Sequence, residues 1–407
     1  MSSATPTPLA SLPPAFARRA FGVALAFLVV VAGLGTLLRW QTPWQGAGFH
    51  YGFFLHAHSH VAFLGWVFNA FFALAWVHFI PTEHHRGYAW LFAVWQGSVL
   101  GMLVAFPVQG YGAVSIAFSA LHMAGSCVFV WRLWRSNLAV PIARGTLRVA
   151  LVFLVVSGLG PLSLGPLAAA GLRDTPAYAL SVYFYLHAQY NGWFLFFLQA
   201  VLLQSAVRRG LAVDEHDARR ALVWLTAGTI LTFAQSTLWL APSAWIHALA
   251  GLGGAAQLAG CLFLARSFRG ARIRLSGVHR VLVGLAVAAF LFKHVLQAAA
   301  AWPGLLELGS HRFIVIAFLH LVFLGVVTPA LFAWALALGW LPEGRLTHLG
   351  LTLFLAGAAA TELLLVAVPF GLPAEFPLSS SLLGAATAMT TGAIALLAAY
   401  VFGRKAE

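Results

Sequence analysis

The sequence predicts an all-α, polytopic membrane protein with twelve transmembrane helices, and three observations carry that expectation. Of the 407 residues, 61% are hydrophobic and only 8% charged, far too few charges for a soluble chain. Apolar stretches of helix length recur twelve times. Lys and Arg gather in alternate connections between those stretches, as they do in membrane proteins of fixed orientation. The formal charge of +13 is therefore an orientation signal. It argues for the lipid bilayer as the first partner and against nucleic acid.

The elements follow in order. The first 14 residues are rich in Ser, Thr, Pro and Ala and lack the charged, apolar and small-residue order of a signal peptide. Residues 1–19 are expected to form a disordered cytoplasmic N-terminus. The apolar stretches run over about 20–38, 58–80, 88–107, 113–134, 146–170, 180–206, 220–240, 243–265, 279–300, 313–338, 348–371 and 380–402. Roughly 20 apolar residues span a bilayer as helix, and helices satisfy every backbone group where there is no water. One membrane domain, 20–403, is expected, with a cytoplasmic tail at 404–407 and no evident internal repeat. With the N-terminus inside, nineteen basic residues fall in inner connections and three, Arg39, Arg173 and Arg312, in outer ones. That asymmetry predicts a multi-pass protein of the cell inner membrane with both termini cytoplasmic. Cys127 and Cys261 sit in apolar runs without a CxxC or CxxCH pattern, which argues against a disulfide framework, a zinc ribbon or covalent haem c.

Imidazole is costly in hydrocarbon unless paired, hydrated or bound to a metal, so intramembrane histidines are candidate site residues. His56, His58 and His60 stand at the mouth of the second stretch. His187 and His320 each lie about eight residues into the sixth and tenth stretches, roughly 10–12 Å below the outer surface. His247 joins that layer, and His122 falls deeper. His56 and His60 share a helix face while His58 points the other way; such a pair suits Zn or Cu, or lines a wet vestibule. Two intramembrane charges, Lys293 and Glu362, must face protein or water, and a Lys293–Glu362 pair would satisfy both.

The segments around His60, His187 and His320 resemble the catalytic subunit of haem–copper oxidases, closest to the nitric oxide reductase branch. In "HVAFLGWVFNAFFALAWVHFIP" a helix opens on His60 and closes on Pro81, the spacing that family uses for a haem-ligand His. "HAQYNGW" places Asn191-Gly192 after His187, where the reductases carry Glu-Gly after a metal-binding His. "AFLHLVFLG" keeps, as His320, the second His of the family's His-x-His. The twelve-helix, N-in topology agrees. The departures are equally specific. Gln235-Ser236 replace the family's His-His pair, and Phe318 replaces the ligand to the high-spin haem.

The resemblance implies a subunit I-like bundle with His60 and His320 as axial ligands of a low-spin haem b. Both axial positions would be filled, which suits electron transfer or redox sensing. Gly65 and Gly325, five residues past each ligand, would either let the macrocycle approach or seat a helix–helix contact. Lys293 would pair with Glu362 or reach a haem propionate. His187 with Gln189, Tyr190, Asn191, Gln235 and Ser236 would line a polar remnant of the catalytic chamber, as a hydrogen-bonded cluster or, completed by His247, Tyr183 or Tyr185, as a rebuilt metal site. Loss of three of the family's six ligands argues against terminal-reductase chemistry. Electrons would come from a separate cytochrome or from quinol. The alternative reading is a copper-binding or transport protein that captures the metal at His56, His58 and His60, against which the scarcity of Met argues.

Overall fold

In the computed structural model of the protein, residues 15–40, 50–81, 84–271, 275–373 and 375–403 are described. The N-terminal residues 1–14, the tail at 404–407 and the arginines at 272 and 274 lie outside them. Every described element is helical. Among the described residues, twelve helices are long and apolar enough to cross a membrane: α1 (Ala15–Trp40), α2 (Tyr51–His78), α3 (His85–Gln109), α4 (Ala113–Trp134), α5 (Pro141–Ala169), α6 (Pro176–Arg208), α7 (Glu215–Leu240), α8 (Ala244–Ser267), α9 (Gly277–Ala299), α10 (Arg312–Ala337), α11 (Arg345–Phe370) and α12 (Leu378–Phe402). The chain is thus a multi-pass membrane protein. α1, α2, α5, α6 and α7 begin a turn or more before the apolar stretch that announces them, because polar and aromatic first turns extend the helix into the interface; residues 15–19, expected to be disordered, are thus the first turn of α1. The largest extension is at α2, which starts at Tyr51. His60 is therefore nine residues inside the helix, about 14 Å from its start, and not at its mouth.

The helix ends are set by ordinary local chemistry. Pro141 and Pro176 open α5 and α6 at the first helical position, where a missing N–H costs nothing. Asp214 caps α7 by accepting the Asp217 N–H at 2.9 Å, which satisfies one of the orphan donors of a helix start. The last part of α7, Thr232–Leu240, tightens to 3₁₀ geometry and stops at Ala241 with φ 49°.

The bundle contains a repeat that composition and motif did not announce. α2, α6 and α10 form its centre. Phe63, Tyr190 and Phe323, each three residues after His60, His187 and His320, meet in a triangle with ring centroids 5.0, 5.9 and 6.3 Å apart. Each central helix changes to π geometry directly after its histidine, over Val61–Val67, Ala188–Phe194 and Leu321–Val327. Such turns widen the helix and are frequent at functional sites. Each π turn contains a glycine that backs onto the preceding helix. A Cβ at Gly65 would lie 2.8 Å from Phe27 Cγ on α1, one at Gly192 2.5 Å from Phe153 Cβ on α5, and one at Gly325 3.1 Å from Ala289 Cβ on α9. These glycines are helix–helix contacts, so Gly65 and Gly325 do not provide the clearance for a macrocycle expected from the sequence. The pairs α3–α4, α7–α8 and α11–α12 pack outside the centre. α1 closes the ring antiparallel to α12, with Tyr400 Oη donating to the Arg18 carbonyl at 3.0 Å and Thr36 and Thr390 hydroxyls 2.9 Å apart. Residues 15 and 403 consequently lie on the same face of the bundle.

Burial divides the three central helices at their histidines. Beyond His60, His187 and His320 the π turns and following residues are largely buried, whereas the preceding turns, 53–60, 178–187 and 313–320, are almost entirely half-buried. One half of the bundle is a close-packed aromatic core. The other half opens between the helices, and the histidines stand at the boundary.

Candidate functional site

Of the three α2 histidines, His58 is the one that feels His320 electrostatically. The His58 ring is oriented by Nδ1, which donates to the Val31 carbonyl on α1 at 3.0 Å. A carbonyl only accepts, so Nδ1 carries the proton and Nε2 keeps its lone pair. A Cβ on Gly35, one turn along α1, would stand 3.2 Å from His58 Cε1, so this glycine gives the ring its place. The His320 Nδ1 faces Glu362 Oε1 on α11 at 2.9 Å, which leaves its Nε2 likewise free. His58 feels the His320 ring electrostatically, and Arg39, one turn beyond Gly35, acts on both His58 and Glu362. Arg312 at the start of α10 lies within electrostatic range of Arg39. The His320 and Glu362 side chains remain 28% and 22% accessible, so this pair between α10 and α11 is not closed over.

His60 points elsewhere. Its Nδ1 donates to the His56 carbonyl at 2.8 Å, and its ring lies 4.3 Å from that of Phe106 and 5.8 Å from that of Tyr111, towards α3. The α2 histidine within electrostatic range of His320 is His58, two residues earlier and on the opposite helix face. His122 on α4 feels His60 and packs edge-on against Phe68 at 4.9 Å. The His56 ring stacks near Tyr111 at 4.5 Å. His56, His58 and His60 thus do not converge on one point, and among the described residues no group of three His, Cys, Asp or Glu side chains is arranged to hold a metal.

His187 has no lone pair to give. Nε2 donates to the Thr229 carbonyl on α7 at 2.7 Å, and Nδ1 lies 3.2 Å from Asn191 Nδ2, which can only donate to it. The rest of the expected chamber divides among neighbours. Gln189 turns to Ser157 Oγ on α5 at 2.8 Å, Gln235 Nε2 donates to the Gln297 carbonyl on α9, and the Ser236 carbonyl accepts from Trp239 Nε1 at 2.8 Å. Tyr183 packs on Trp239 at 6.5 Å and Tyr185 on Phe63 at 5.9 Å. His247, near the start of α8, has a buried Nδ1 without a hydrogen-bond partner. His187 bonds to Asn191 and to α7, while Gln189 bonds to α5 and Gln235 to α9, so these residues are divided among separate interfaces.

The intramembrane charges do not pair with each other. Glu362 serves His320, and Lys293, fully buried, has its Nζ 3.5 Å from His294 Nε2. The Glu362 role was hidden from the sequence because it depends on the rotation of α11 against α10. The sequence carries one trace of the layer, the His-x4-Gly spacing at 60/65, 187/192 and 320/325, which also occurs at 279/284 at the start of α9.

Among the described residues, a multi-pass helical bundle with a histidine at the same level of each of its three central helices is the class that the fold defines. Comparison with protein families and with curated proteins returns no match for this chain.

Proposed function

We propose that this chain is a membrane haem b protein similar to the haem–copper oxidase catalytic subunit, with His58 and His320 as axial ligands of a low-spin haem, acting in electron transfer or redox sensing. The observation that carries the reading is the pair of imidazoles on α2 and α10. Each has its Nδ1 committed to a fixed acceptor, Val31 O or Glu362 Oε1, which leaves Nε2 as the nitrogen with a lone pair to give. Hydrogen bonding of the distal nitrogen to a carbonyl or carboxylate fixes the tautomer and raises the basicity of a metal-ligating histidine. Arg39 feels both Glu362 and Arg312 electrostatically, and cations of this kind are what the acidic substituents of a tetrapyrrole would need as partners.

When bound, the group would supply one-electron redox chemistry with both axial positions filled. The protein's own part is to hold two ring planes, to keep their Nδ1 protons on fixed acceptors, and to neutralise carboxylates near the membrane surface. His187 presents no free nitrogen and Phe318 no ligand atom, which supports electron carriage over terminal-reductase chemistry. The basic asymmetry of the connections supports an inner-membrane location with both termini cytoplasmic, so the open half faces outward. An electron-donor cytochrome or quinol is the partner this chemistry requires.

The test is the reduced-minus-oxidised absorption spectrum of the purified full chain. Sharp low-spin haem b bands are expected. They should vanish in His58→Ala and in His320→Ala and persist in His60→Ala. Persistence in His58→Ala together with loss in His60→Ala would restore the pair first read from the sequence; a spectrum without haem bands would remove the proposal.

A further inference from the structure

Between α6, α7, α8 and α9 lies a second polar chamber that the haem reading does not use. Its centre is Lys293, with no accessible surface and, among the described residues, no ion pair. The nearest hydrogen-bonding group is His294 Nε2 at 3.5 Å, a long contact. That imidazole donates its Nδ1 proton to the Phe290 carbonyl at 2.7 Å, so Nε2 presents a lone pair to the amine. Lys293 also feels Cys261 on α8 and His187 on α6 electrostatically.

The same interfaces contain three amide oxygens with no donor: Asn191 Oδ1, Gln257 Oε1 and Gln297 Oε1. Asn191 is one turn from His187, Gln257 one turn from Cys261, and Gln297 one turn from Lys293. They are therefore brought into the layer of the lysine by the three helices that surround it. α7 adds Thr229, Thr232 and Gln235, all uncharged, so the titratable groups around Lys293 are His187, Cys261 and His294. An amine with unused N–H donors and three acceptors without partners are complementary deficits. A water is stable in a polar cavity where it finds two to four such partners, and buried polar atoms in native proteins are almost always satisfied.

We infer that ordered water fills this chamber and that Lys293 is a proton-exchanging group on it. The exchange needs no heavy-atom bond to change and no electron to move. A proton on Lys293 Nζ passes to the His294 Nε2 lone pair or to a water, leaving an amine and an imidazolium or hydronium, and returns by the same route. Lys293 is six residues from the end of α9 and His187 eleven from the start of α6. The chamber therefore lies in the same half of the bundle as the other histidines, with Gln297 one turn from Lys293 towards the end of α9. The inference is independent of the haem reading and survives or fails without it.

The chain contains only two lysines, Lys293 and Lys405, which makes the test direct. The full chain in lipid nanodiscs is treated with formaldehyde and cyanoborohydride, and methylation of each lysine is followed by mass spectrometry, with Lys405 as the internal standard. A dry lysine reachable only by unfolding would react at least about a thousandfold more slowly than Lys405, given the usual stability of a folded domain. A hydrated Lys293 reacts faster than that limit, and Gln297→Leu, which removes an acceptor that anchors water, slows it while leaving Lys405 unchanged. Protection of Lys293 beyond the limit, or a rate indifferent to Gln297→Leu, overturns the inference. His58→Ala, tested in parallel, should leave the Lys293 rate unaltered even where it abolishes the haem spectrum.

Discussion

Replacing Glu362 separates an orienting carboxylate from a mere neighbour of His320. The His320 Nδ1 to Glu362 Oε1 distance is 2.9 Å, with both side chains only partly accessible. In Glu362→Leu the imidazole loses its acceptor at the edge of an apolar bundle. An unsatisfied polar group of this kind costs about 1–3 kcal/mol, and loss of the partner behind a metal-ligating histidine lowers affinity about 10–100-fold. At about 1.4 kcal/mol per factor of ten, the two estimates agree. The assay is haem transfer from the purified, size-homogeneous protein to an excess of apo-globin. The expected result is a 10–100-fold weaker retention in Glu362→Leu, with Glu362→Gln close to the parent because its amide oxygen still accepts. Retention in Glu362→Leu equal to the parent refutes the orienting role. Glu362→Gln falling as far as Glu362→Leu does so as well, since the acceptor would then be irrelevant.

Gly192→Ala places a methyl group 2.5 Å from Phe153 Cβ, and overpacking of that kind costs about 1–3 kcal/mol; a clear fall in thermal stability in detergent is expected. Gly33→Ala, where a Cβ meets nothing within 4 Å, should instead be neutral or stabilising by up to about 1 kcal/mol through helix propensity. Thr328→Val removes the acceptor of the buried Trp66 Nε1 bond at 3.1 Å that ties α2 to α10, and should destabilise by about 1–3 kcal/mol in the same assay. Asp214→Ala removes the α7 cap and should cost about 1 kcal/mol, read as earlier proteolysis of the α6–α7 connection.

Which parts of this molecule were legible follows from what each depends on. The twelve spans were readable because bilayer thickness imposes a length and an apolar composition on every one of them, independent of neighbours. Their starts were not, since the turn from Tyr51 to Ala57 is aromatic and polar yet helical. The layer of histidines was readable from depth alone. Which imidazole faces which was not, because His58 and His60 differ by about 200° around α2 and only packing against α1 and α3 decides between them. The Glu362 partner was obscured for the same reason. The threefold repeat left one trace, the His-x4-Gly spacing, but its remaining positions diverge: Asn191 stands where α2 and α10 carry Leu64 and Leu324.

That divergence explains how one backbone plan holds two different kinds of chamber. The π turn after each histidine gives all three central helices the same shape, and the glycine within it seats each helix on its predecessor. Position four after the histidine then decides what the imidazole can do. On α2 and α10 it is leucine, and the ring nitrogens look outward, to a backbone carbonyl in one case and to a carboxylate in the other. On α6 it is Asn191, whose amide occupies Nδ1 of His187 while the Thr229 carbonyl takes Nε2. A saturated imidazole cannot serve as a ligand, so the amide turns that chamber towards hydrogen bonding and leaves Lys293 among neutral acceptors. Asn191→Leu should therefore free the Nδ1 of His187 without disturbing the His58–His320 chamber. Copper titration followed by electron paramagnetic resonance would read it: Cu(II) bound in Asn191→Leu and lost again in Asn191→Leu/His187→Ala supports this account, and a spectrum identical to the parent protein refutes it.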